Sequence, residues 1–378
     1  MSTGQQYVLS GELVAQLITD AATLSRYLQD DLNEVASRRD ELRDRLLTEG
    51  KIIKVRSETE PLKQVCAVDG AHLPENDRAS AYSASCSLRI GQTAGAYDHS
   101  SCLSILPHLP CHNALSTGLM IMQEIMTTTD GVERFPDTWC LIDGSKVSAL
   151  RQISQFYSNL DQDLPYQLEH WRRLTRKQPD REPGRTLSLF ESRDWLSVFL
   201  SSNRIIGNAK LVTTISLVSR YAPEWIGRFD DKTFAALVLE AGEALRPVAL
   251  NAPKEPYHIH CSYPYWEAVN AIGDYLTSAD CPIQIFHIYY RPSASHGVYK
   301  IEMNKSFMSQ PELVDALLSW WHREIAAPDI EEPYSVYIAD RFASEAVSLA
   351  KEALKEISRR AETDTPWTWF LTQPYRTN

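Results

Sequence analysis

Gln64-Val65-Cys66-Ala67-Val68-Asp69-Gly70-Ala71 is an apolar run that closes on Asp-Gly, and Trp139-Cys140-Leu141-Ile142-Asp143-Gly144-Ser145 repeats the design some seventy residues later. Short apolar runs with β-branched residues, bounded by turn residues, read as buried strands. Each aspartate is therefore expected where a strand leaves its sheet. Two such carboxylates on neighbouring strand ends can share a divalent cation. Asp-Gly is also ordinary hairpin-turn chemistry, but a hairpin needs a second strand returning at once, and Ser145 to Tyr157 reads helical.

Outward from the first run, Ala81 to Ile90 and Cys102 to Leu106 give a meander of two or three antiparallel strands. Pro107 and Pro110 break the chain. Asn113 to Met126 then reads as a helix whose Leu115, Leu119, Met122 and Met126 form an apolar stripe. Glu124 is the one carboxylate between Leu119 and Met126. An unpaired buried carboxylate costs several kcal/mol, roughly, so Glu124 is either at the surface or paired with a metal or base.

Past Asp143 a mostly helical region to about Arg204 reads as an insertion, with Trp171 and Trp195 as packing anchors. Lys210 to Ser219 is a further candidate strand, and Ile283 to Tyr290 with Val298 to Met303 a hairpin. Ser309, Pro311 and Glu312 open a helix with a capping box, which continues through Leu313, Leu317, Trp320 and Trp321 and buries one of the two tryptophans. The last element runs from Tyr334 to about Ile357, with Ile338, Phe342, Ala346, Leu349 and Leu354 on one face. Asp340, near its start, either favours the helix dipole or points into a carboxylate cluster. At the other end of the chain, Ser10, Leu13, Leu17, Ile18, Leu24, Leu28, Leu32 and Val35 write a long helical arm that packs on a partner or on the body. Interleaved charges from Arg38 to Leu47 continue it, and Gly50 ends it.

A chain of 378 residues that is 43 % hydrophobic buries a sizeable core. No run reaches the roughly 18 apolar residues of a membrane span, and the N-terminus has no signal-peptide pattern, so the expected location is the cytosol. Seven cysteines, an odd number, are expected as reduced thiols. Cys102, His108, Cys111 and His112 cluster without zinc-site spacing, while His258 and His260 share one strand face. The net charge of −11 argues against a protein that coats nucleic acid by bulk attraction. A local basic groove is still available from Arg172, Arg173, Arg176, Lys177, Arg181 and Arg185, which also read as a solvated linker. Neither a Walker-type phosphate loop nor a Gly-x-Ser-x-Gly elbow is present.

The order of strand-end Asp69, meander, helical Glu124, strand-end Asp143 and late helical Asp340 resembles the ribonuclease H-like arrangement, and more finely the NurA nuclease family. Ala67-Val68-Asp69-Gly70 is similar to its first motif and Leu141-Ile142-Asp143-Gly144-Ser145 to its second. Leu211 to Ser216 resembles the strand before a customary Lys, and Ile288-Tyr289-Tyr290-Arg291 with Tyr299-Lys300-Ile301-Glu302 resembles the late hairpin. Two departures stand out. Leu217 occupies the place of that Lys, and in the C-terminal motif Glu332 replaces Tyr and Asp340 replaces His, with Tyr334 nearby.

The resemblance implies an α/β fold, a ribonuclease H-like mixed sheet flanked by helices. It further implies a helical arm over residues 1–55 and a nuclease domain over 56–378 with a helical insertion at about 150–205. It implies Mn²⁺ or Mg²⁺ held by hard oxygen donors. Asp69 would bridge two ions, Asp143 and Glu124 would hold opposite sides, and Asp340 would complete a site or orient water. It implies a homodimeric DNA nuclease working with a HerA-type hexameric translocase in repair or anti-phage defence. The alternative is a catalytically degenerate adaptor for that translocase.

Overall fold

The computed structural model describes residues 11–56, 58–76, 81–91, 97–106, 112–162, 184–193, 195–210, 214–249, 285–325, 330 and 332–362. Its centre is a ten-stranded mixed sheet. The strands are β1 (Ile52–Lys54), β2 (Val65–Asn76), β3 (Ala81–Gly91), β4 (Tyr97–Leu106), β5 (Trp139–Ile142), β6 (Ile205–Ala209), β7 (Glu243–Leu245), β8 (Val248–Ala249), β9 (Ile285–Arg291) and β10 (Tyr299–Asn304). Their spatial order is β1-β7-β9-β10-β6-β5-β2-β3-β4, with β8 beside β9. The three central strands β6, β5 and β2 are parallel, and the flanking pairs on both sides are antiparallel.

Parallel strands are buried on both faces, and where β2, β5 and β6 pair in parallel the sequence accommodates this with apolar residues and one glycine. Val65, Ala67, Leu141 and Ile206 enter one core with helices α8 (Lys305–Met308), α9 (Pro311–Glu324) and α10 (Tyr334–Glu362). Cys66, Val68, Cys140, Ile142 and Ile205 enter the other with α2 (His112–Arg134), α3 (Lys146–Gln162), α4 (Gly184–Glu191) and α5 (Trp195–Ser201). Each fully buried Leu, Ile or Phe here stabilises by about 1.5–3 kcal/mol. Helices α2 and α3 approach closely because Gly118 lacks a side chain, since a Cβ there would lie 2.5 Å from Phe156.

A third core holds the far edge of the sheet. In α1 (Gly11–Thr48), Val35, Leu42 and Leu46 pack with Trp225, Phe234 and Leu245, beside α6 (Ser216–Tyr221) and α7 (Asp231–Val238). Arg43 fixes the arm with a bidentate bond to Glu243, at 2.6 and 2.7 Å. Nearer its start, Leu17, Ile18 and Leu24 are exposed. The arm therefore packs on the body through its C-terminal half. Among the described residues no helix is long and apolar enough to cross a membrane.

Several elements depart from the sequence reading. Strand β6 stops at Ala209, and Ser216–Tyr221 is helical instead of extended. Asp231 decides this, accepting bonds from the backbone N–H groups of Ser216, Leu217 and Val218, a tertiary cap that outweighs the local β-branched preference. Strand β2 does not end at Asp69 but runs on to Asn76 against β3; only its pairing with β5 ends, at Val68. Helix α9 is capped at Gln310, with no side-chain cap bond, instead of by a box from Ser309, and both Trp320 and Trp321 are buried. On α10 the buried stripe is Val336, Ala339, Ala343 and Val347, whereas Phe342 and Leu349 are exposed. Small residues let this helix lie close on β2 and β3, where Cys86 Sγ donates to Ala343 O. The basic segment 172–181 and residues His108, Cys111, His258 and His260 lie outside the described residues.

Candidate active site

Alternation along the strands places the charged groups. Val65, Ala67 and Asp69 share one face of β2, and Leu141 leads two residues on to Asp143. Ile206 leads four residues on to Lys210, beyond the end of β6. Ala67 pairs with Leu141 and Leu141 with Ile206. Asp69, Asp143 and Lys210 therefore emerge on the same face at the same end of three adjacent parallel strands. The helix covering that face is α10, whose buried Val336 and Ala339 precede Asp340 directly. Glu124 comes from α2. A Cβ at Gly70 would meet Met120 Cγ at 2.9 Å, so α2 crosses the strand there, and Glu124 follows Met120 by one turn.

The elbow after β5 is held from behind. Asp143 N donates to Val68 O at 3.1 Å. Glu302, fully buried on β10, accepts from Ser145 Oγ at 2.9 and 3.0 Å and from Lys146 N at 3.0 Å. Ser145 Oγ in turn accepts from Ser148 N, closing the first turn of α3. Gly207 makes room for this, because a Cβ there would sit 2.9 Å from Gly144 O and 3.3 Å from Glu302 Cβ. Lys146 is wholly buried and burial lowers its ammonium to about 7, with Glu302 opposing the shift.

Charge is concentrated and poorly compensated. Burial, then the neighbouring Asp143, Glu124 and Asp340, pushes Asp69 up to about 9. Burial, then Asp143, pushes Glu124 to about 8. Asp143 rises only to about 6, because Lys210 draws it down against burial. Lys210 Nζ lies 2.5 Å from Asp143 Oδ2 and 2.7 Å from Glu332 Oε2. Burial alone would lower that ammonium, but Asp143 and Glu332 outweigh it and hold it above its usual range. Asp143 Oδ1 is buried with no hydrogen-bond donor.

Anionic oxygens crowded until protons are retained, one of them orphaned, are a donor set suited to a hard divalent cation. As placed, no three His, Cys, Asp or Glu side chains among the described residues form a ready metal cage. Lys210 is paired with Asp143 and Glu332.

This arrangement has counterparts among solved structures. The NurA nuclease from Sulfolobus solfataricus superposes with a TM-score of 0.57 over 95 % of this chain and 99 % of its own, at 11 % identity. The chain has the NurA fold. A NurA structure bound to dAMP and manganese matches with a TM-score of 0.53 over 85 % of this chain and 92 % of its own, at 12 % identity. A third, NurA with manganese, gives 0.52 over 90 % and 98 %, also at 12 % identity. No protein-family model matches the sequence, and no curated protein does either.

Strand β6 ends at Ala209, Lys210 follows it directly, and Leu217 is buried in α6. Glu332 is the second partner of Lys210. Tyr334 is exposed and stacks on Tyr337. Asp69, Glu124, Asp143 and Asp340 are brought within electrostatic reach of one another, Asp69 and Glu124 buried and Asp143 and Asp340 partly exposed. Lys210, Glu302 and Lys146 went unnoticed in the sequence. A lysine directly after an apolar strand parallel to the two Asp-Gly strands was the available signal for Lys210.

Proposed function

We propose that this protein is a divalent-metal-dependent DNA nuclease. The observation that carries the reading is the convergence of Asp69, Asp143 and Lys210 at one end of three parallel strands, with Glu124 and Asp340 supplied by the flanking helices. Asp69, Glu124, Asp143 and Asp340 are the proposed ligands. The NurA structures with manganese support Mn²⁺, and Mg²⁺ suits the same oxygens. When bound, such ions activate water and neutralise charge on a scissile phosphodiester.

The chain's own residues do the rest. Glu302 and the first turn of α3 hold Asp143 in place through the backbone. Lys210 favours the ionised form of Asp143, and its half-exposed ammonium would be available to a phosphate at the same site. We further infer a homodimer that processes DNA ends beside a HerA-type translocase, in repair or in defence against phage. A motor that grips DNA would relieve an enzyme of net charge −11 of that task.

The test is cleavage of end-labelled single- and double-stranded DNA in Mn²⁺, Mg²⁺ or EDTA, alone and with the cognate motor and ATP, comparing wild type with Asp143→Ala. Cutting should require the ion and vanish in the variant. Absence of cutting by wild type under every condition would overturn the reading.

The contact of Lys210 with Asp143 favours a second reading, an adaptor whose lysine has replaced the ion for good. Calorimetric titration of Mn²⁺ separates the two, because an adaptor so locked binds none.

A further inference from the structure

On the far edge of the sheet, away from the carboxylates, lies a cavity of about 350 Å³ whose walls include Lys51, Arg220, Arg246, Tyr221, Leu217 and Leu245. Among the described residues three cations and no carboxylate line it, in a protein whose net charge is −11. Beside it, Arg45 donates through Nη2 to Tyr221 O. Arg246 donates through Nε to Gly50 O at 2.6 Å. Both guanidiniums are thus fixed on neutral carbonyls. Among the described residues, none of these four cations has an ion pair, whereas Arg43, two residues before Arg45, has two. Arg220 lies over the Tyr221 ring at 5.3 Å.

We propose that this cavity binds a nucleoside phosphate, as a unit of a DNA strand whose scissile bond lies at the carboxylate cluster. Uncompensated cations at a concave wall focus potential on an anion. The apolar floor of Leu217 and Leu245 suits the apolar face of a sugar. The volume falls within the range of small-molecule sites, about 300–1,000 Å³. The strand is favoured as the source of the phosphate by reach. Leu217 follows Lys210 by seven residues, and a chain spans at most about 3.6 Å per residue, so the two Cα atoms are within about 25 Å. That upper limit corresponds to at most about seven nucleotides at the 3.4 Å per-strand charge spacing. This inference rests on the nuclease reading for the strand's direction, though the cavity's chemistry stands apart from it.

The experiment is fluorescence anisotropy of labelled oligothymidylates of 4 to 20 nucleotides in EDTA, with wild type and the Lys51→Glu/Arg220→Glu double variant. Neither side chain makes a hydrogen bond among the described residues, and Arg246→Gln serves as a second variant. Wild-type affinity should rise at least tenfold as the strand lengthens past about eight nucleotides. The double variant should lack that step, and its salt dependence should shrink by about 1 in log–log slope, at about 0.7 per phosphate lost. Saturable binding of free dTMP that the variant loses would uphold the site and name the mononucleotide as its source. Wild-type affinity and slope in both variants would overturn the proposal. Binding in EDTA needs no cutting, so an inactive but length-sensitive protein would sink the nuclease reading and spare the cavity.

Discussion

Glu124→Gln is expected to stabilise the metal-free protein, and by an amount that grows with pH. The carboxyl sits at about 8 instead of its ordinary 4.5, through burial first and Asp143 second. A carboxyl with a raised folded-state value holds its proton more tightly when folded. Its contribution to stability is complete below pH 4.5 and drains away as pH rises through 8. At 1.36 kcal/mol per unit, the whole window corresponds to about 5 kcal/mol, of which less than about 1 kcal/mol has gone by pH 5. Glutamine keeps the shape and never ionises. In EDTA the variant should therefore match wild type near pH 5 and exceed it by several kcal/mol near pH 8.5, read by urea denaturation at both values. Saturating Mn²⁺ should narrow the gap at pH 8.5, because wild type gains about 2.7 kcal/mol at one hundred times Kd and the variant lacks a ligand. Parallel stability curves for the two proteins in EDTA would refute the reasoning, since they would mean that Glu124 is ionised and solvated.

Lys210→Ala removes the cation that draws Asp143 down to about 6, so the acid limb of the pH–rate profile should move to higher pH, and an unmoved limb would show that the ion pair does not set it. Arg43→Ala leaves the buried Glu243 carboxylate without its bidentate partner and should cost about 3–5 kcal/mol in denaturation, most of it recovered by adding Glu243→Gln. Gly118→Ala drives a methyl into Phe156 at the α2–α3 crossing and should cost about 1–3 kcal/mol, visible as a lowered Tm. Gly207→Ala should disturb the Asp143 elbow through Gly144 O, weakening Mn²⁺ affinity in calorimetry more than it lowers Tm.

What could be read from the sequence was whatever a local pattern encodes. The two apolar runs ending in Asp-Gly gave β2 and β5, the stripe Leu115 to Met126 gave α2, and turn residues gave the β9–β10 hairpin. Length and periodicity are local, so these elements survived. Lys210 to Ser219 failed because Asp231, twelve residues beyond Ser219, supplies the cap that makes α6 helical. The face of α10 was misjudged because large apolar residues were taken to mark the core. Contact with the sheet instead selects the small ones, Ala339 and Ala343, and leaves Phe342 and Leu349 outside. Glu302 and Lys146 were illegible for the same reason. Their roles exist only where β10 passes beneath the start of α3.

Helix α10 has a consequence for the chain as it is being made. Three of the carboxylates, with β2, α2 and β5, leave the ribosome early, but Asp340 emerges some 270 residues after Asp69. At about 5–20 residues per second, that is a delay of tens of seconds. Until α10 arrives, β2 and β3 lack the cover that Ala343 and Val347 provide. A stalled or proteolytically shortened chain thus has an open sheet and an unfinished cluster, and only a polypeptide carried past Val347 can close both.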